Sequence, residues 1–99
     1  MKDYPSEETL DRIRNFDPFH DEFGLLLDIL RGAWWPDGDY GIRYENNILE
    51  LHTWGWSGNE SIIAALESNV HCFWMLFWCQ SKRGGHYWFE IRDIREAGR

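Results

Sequence analysis

A chain of 99 residues has room for one hydrophobic core, and 43% hydrophobic content with seven Trp can offset chain entropy without disulfides or metals, which excludes a disordered chain. The formal charge of −7 excludes a general nucleic-acid binder, because the molecule as a whole repels phosphate and has no basic stripe. The acidity is uneven, with thirteen of seventeen acids but only five of ten bases inside residues 1–60.

One domain, residues 1–99, is expected, with 1–5 and 93–99 fraying at its ends. Met1 to Pro5 is polar and no apolar segment follows it, so the reading has no secretory signal and places the protein in the cytoplasm. The longest apolar run, Cys72 to Cys79, falls far short of the roughly 20 residues a membrane helix needs.

In chain order, Ser6 caps a predicted helix over 7–15 with Leu10 and Ile13 inward and acids near its start. Asp17-Pro18 opens a second helix over 18–31, which Gly32 stops. Its apolar stripe of Phe19, Phe23, Leu26, Leu27 and Leu30 is widened by Leu25 and Ile29, so the helix is expected to touch more than one surface. Strands 40–45 and 48–54 form a hairpin about Asn46-Asn47, with Ile42, Tyr44, Leu49 and Leu51 on one face and Arg43 opposite Glu50 on the other. Ser57 to Glu60 has capping-box spacing ahead of a third helix over 58–69. The apolar run near 71–80 reads as a central strand covered on both faces, with its two cysteines as reduced core thiols. A turn at Ser81 to Gly85 joins it to a last strand at 87–91. The order ααββαββ predicts an α+β fold with a four-stranded, mainly antiparallel sheet packed with helices.

Two groups of side chains are candidates for function. The first is the acidic surface of the N-terminal half, where Asp21, Asp28, Asp37 and Asp39 lie near Trp34 and Trp35. Carboxylates beside exposed indoles suit docking on a basic protein partner, and solvated helix faces with core indoles explain the same residues. The second group is His52, Trp54, Trp56, Ser57, Glu60, Arg83 and His86, from the segment leading into the third helix and the last turn. If they converge, they make a pocket for a small anion, nucleotide-like or otherwise; if not, they are a helix cap with packed tryptophans and a solvated glycine turn. No nucleophile elbow, phosphate loop or acid pair points to catalysis, and the His and Cys positions lack metal-ligand spacing, so neither cofactor nor metal is expected.

Leu51-His52-Thr53-Trp54-Gly55-Trp56-Ser57-Gly58-Asn59-Glu60, then Phe73-Trp74, then Arg83-Gly84-Gly85-His86-Tyr87, resembles a pattern in small proteins of phages and bacterial mobile elements. The resemblance covers about residues 40–91 and carries no activity with it. It implies a setting in which short accessory proteins bind host proteins, defence systems among them. The leading expectation is therefore a non-enzymatic binding protein acting on a host or self partner. The alternative is a small-ligand binder or an enzyme using the second group of residues. Homodimerisation through the broad apolar arc of the second helix is a further possibility.

Overall fold

The computed structural model describes residues 3–36, 38 and 40–94. Helix α1 spans Glu7–Arg14, and the Ser6 hydroxyl accepts a hydrogen bond from the Thr9 amide (3.1 Å), the cap expected from the sequence. Its Leu10 and Ile13 are buried, one turn apart on the inner face.

The next segment departs from expectation. Asp17 does not start the second helix. Its carboxylate accepts from the Phe19 amide (2.9 Å) and from His20 Nδ1 (2.7 Å), closing a separate turn that leaves Phe19 exposed. Helix α2 runs from Phe23–Ala33 and carries through Gly32, with Leu26 and Leu30 fully buried. The bond from His20 holds the Asp17 carboxyl below the usual carboxylate range, with the Phe19 amide and the nearby His71 acting the same way against partial burial. A lowered carboxylate pKa supports the fold above the ordinary aspartate value, about 3.9, and that support disappears as pH falls through the folded value. Asp17→Asn should therefore lower the urea midpoint at neutral pH, and the gap from wild type should narrow as pH falls below the ordinary aspartate range.

Strands β1 (Ile42–Glu45) and β2 (Ile48–His52) pair antiparallel with Glu45 opposite Ile48 and Arg43 opposite Glu50, the register set by a two-residue turn. Asn46 and Asn47 have φ of 53° and 65°, the left-handed pair that this hairpin turn requires and that Asn tolerates. Helix α3 (Ser57–Glu67) follows, but no side chain caps it, and the Ser57 hydroxyl lies 2.6 Å from the Tyr4 hydroxyl instead. Gly58 in its first turn lets the Trp56 ring fold back over the helix, since a Cβ there would stand 2.5 Å from the indole.

The apolar run is where the prediction fails. Residues Phe73–Phe77 form a short helix, α4, and only then does strand β3 begin, Trp78–Lys82. Asn69 is the cause: its side-chain oxygen accepts from the amides of His71 (2.9 Å) and Phe73 (3.3 Å), turning the chain through a left-handed Cys72 into a helical start. Phe73 and Phe77, four apart, then meet on the buried side with ring centroids 5.0 Å apart. Every residue of β3 is exposed, and both cysteines are exposed free thiols rather than core residues.

Strand β4 (His86–Glu90) inserts between β2 and β3, so the antiparallel sheet runs β1-β2-β4-β3. One continuous core includes Ile13, Leu30, Trp34, Leu51, Leu66 and Phe89, and full burial of such side chains stabilises the fold by about 1.5–3 kcal/mol each. The fold is α+β with helices on one face of a four-stranded sheet. No helix among the described residues is long and apolar enough to cross a membrane.

Candidate functional site

Alternation along β2 and β4 sends Leu49, Leu51, Tyr87 and Phe89 toward the helices and Glu50, His52, His86 and Trp88 to the other face. In the β2–β4 register His52 stands opposite His86, and Glu50 opposite Trp88. A cluster of rings results. His52 and His86 have centroids 4.9 Å apart, Trp88 meets His52 edge-on at 5.8 Å, and Trp54 packs against His86 at 5.9 Å. Lys82 on the edge strand reaches over the Trp88 ring, 5.9 Å from its centroid.

The histidines are joined through like atoms. His52 Nδ1 lies 2.8 Å from His86 Nδ1, and His52 Nε2 lies 3.3 Å from the Glu50 carboxylate. At that separation one Nδ1 must donate and the other accept, so the two rings cannot both carry two protons while the contact lasts. The Glu50 carboxylate, as an acceptor, selects a protonated His52 Nε2. His86 Nε2 turns toward the glycine turn, where a Cβ on Gly84 would lie 3.3 Å from it. Among the described residues no group of three or more His, Cys, Asp or Glu side chains is placed to hold a metal ion. The arrangement offers aromatic faces, one imidazole edge and a nearby ammonium.

Of the seven proposed pocket residues, the structure brings His52, Trp54 and His86 together on this face and separates the other four. Trp56 is buried, stacked on Tyr4 with centroids 5.5 Å apart, and Ser57 is bonded to the same tyrosine. Glu60 is on α3, where its charge, with that of Glu67, adds to burial in raising the Tyr87 pKa. Arg83 is exposed in the β3–β4 turn. The two segments nonetheless touch, through Thr53 N–H donating to the Gly85 carbonyl (2.9 Å). Glu50, Trp88 and Lys82 complete the cluster. A hint of them was present in the spacing of Glu50 to His52 and of His86 to Trp88, each two apart and so on one strand face.

The acidic-surface candidates fare differently. Trp34 is fully buried, its indole N–H donating to the His52 carbonyl (3.1 Å), so it is a core residue and not an exposed anchor. Trp35 is half-buried, with its amide donating to the Asn59 side chain (3.1 Å). Asp21 is half-buried and accepts from the Asp17 amide (3.3 Å), whereas Asp28 is exposed on α2. Asp37 and Asp39 lie outside the described residues. The exposed indoles are instead Trp54, at 54%, and Trp78. No family model, curated protein or solved structure matches the chain.

Proposed function

We propose that this chain is a non-enzymatic binding protein that meets a protein partner through the helix-free sheet face around Trp54. The observation that carries the reading is a linked set of Trp and His rings on the side of the sheet opposite the helices, with one indole 54% exposed. Rings already held by neighbours lose little freedom on binding, and Trp beside a polar rim is a frequent anchor of interfaces. Glu50, Lys82 and Arg43 supply that rim with both signs of charge. The exposed acids of α1 and α2 lie on the helix side and favour approach with the sheet face toward the partner where the partner is acidic. A host protein is the partner class that agrees with the mobile-element resemblance, and interference with a defence system belongs to the same reading.

Affinity capture from host extract tests this with three forms of the protein. Trp54→Glu should lower recovery of the retained partner at least tenfold, whereas Asp28→Lys on the helix side should leave it unchanged. The reverse pattern would move the interface to the acidic helix face and overturn the assignment. The self-partner form is separated by light scattering: Leu25, 46% exposed on α2, is the residue whose replacement by Glu should dissociate a helix-mediated dimer.

A further inference from the structure

At the end of the sheet away from the histidines, α2 stands off from the β1–β2 turn and leaves a cleft of about 180 Å³. Aromatic residues are prominent in its lining: Phe16 and Phe77 are buried, and Phe23 and Tyr44 are half-buried with ring centroids 4.9 Å apart. Asp21 and Asp93 lie in the same lining. Arg92, a cation among the described lining residues, donates to the Leu76 carbonyl (2.9 Å), which directs its guanidinium toward α4.

We infer that this cleft binds a small organic cation, an alkylated ammonium whose methyl groups sit against the rings while Asp21 balances its charge. Three physical terms favour that class. Aromatic faces carry negative electrostatic potential, which attracts an ammonium and is indifferent to a neutral group of the same shape. The Asp21 carboxylate is in the lining, and the chain as a whole carries a formal charge of −7, so an anion is disfavoured at long range. The cleft is also smaller than the roughly 300–1,000 Å³ of sites for drug-sized ligands, which restricts the occupant to a few heavy atoms or to the end of one side chain. The same chemistry is presented by a free quaternary amine and by a methylated lysine of a partner protein. This site is independent of the sheet face, and its failure would leave that reading untouched.

The test is an NMR titration of the 15N-labelled chain with choline and, in parallel, with 3,3-dimethylbutan-1-ol, its uncharged isostere. The expected result is saturable shifts at Phe23, Tyr44 and Asn47, with choline binding at least tenfold more tightly than the alcohol. Asp21→Asn, checked for an intact spectrum, should weaken choline at least fivefold, and Phe23→Leu should weaken it while sparing the alcohol. A third arm uses acetylated trimethyl-lysine amide: binding as tight as choline assigns the site to a partner side chain, and weaker binding assigns it to the free amine. Equal affinity for choline and the alcohol would overturn the proposal, as would absence of saturable shifts at these residues or an unchanged choline affinity in folded Asp21→Asn.

Discussion

Asn69→Ala is expected to lower the unfolding free energy by about 3–5 kcal/mol, a large share of the roughly 5–15 kcal/mol available to a domain of this size. The residue is 6% exposed and uses both ends of its amide. Its nitrogen donates to the carbonyls of Ile13 (2.8 Å) and Phe16 (2.9 Å) at the end of α1, and its oxygen accepts from the amides of His71 and Phe73 at the start of α4. Alanine removes all four bonds and leaves backbone groups without partners, each costing about 1–3 kcal/mol where water cannot reach it. Asn15→Ala is the comparison, since that side chain is exposed and donates only to the Asp11 carbonyl, and a loss of about 0.5 kcal/mol or less is expected. Urea denaturation of the two variants measures the difference. Equal midpoints would mean that the Asn69 bonds do not hold α1 to α4.

The second large effect is expected at Gly85, where alanine should cost about 2–4 kcal/mol and disturb the histidine pair as well. Two causes add. Gly85 has φ of 82°, a conformation that strains any residue with a Cβ, and that Cβ would stand 2.0 Å from the Thr53 hydroxyl oxygen. The methyl group must push Thr53 away, and with it goes the hydrogen bond from Thr53 N–H to the Gly85 carbonyl. His52 and His86 are the neighbouring residues of those two partners, so their 2.8 Å contact should lengthen. Gly84→Ala carries the backbone strain with a milder approach, 3.3 Å to His86 Nε2, and should cost about 1 kcal/mol. Thermal unfolding separates the two variants, at about 4–8 °C per kcal/mol for a domain of this length. The imidazole 15N signals of His52 should change in Gly85→Ala. If the two alanine variants melt together, the close packing against Thr53 has no energetic weight.

Much of the local structure could be read from neighbouring residues alone. Ser6 ahead of Glu7 and Glu8 marked the start of α1, and Asn46-Asn47 between alternating segments determined a hairpin whose register was observed pair for pair. The fold class followed from the order of such segments. The run from Cys72 to Cys79 was not legible in this way, because continuous apolarity fits a buried strand and a buried helix equally well. What starts α4 inside it is the Asn69 amide, whose other partners, Ile13 and Phe16, are more than fifty residues away. The same reason explains Trp34, whose burial depends on a carbonyl eighteen residues distant.

For the candidate site, the amino-acid sequence by itself determined which strand face each residue occupies, since period-two alternation is a local property of the chain. It put Glu50 with His52, whereas His86 was expected in the last turn and the structure places it on β4 beside Trp88. Only the tertiary structure decided that β4 lies against β2 and not merely against its hairpin partner β3, and this long-range pairing is what places His52 on His86 and Trp54 beside both. Side-chain direction along a strand follows from the backbone of a few residues. Which two strands become neighbours follows from how the whole core packs, and no short segment contains that information.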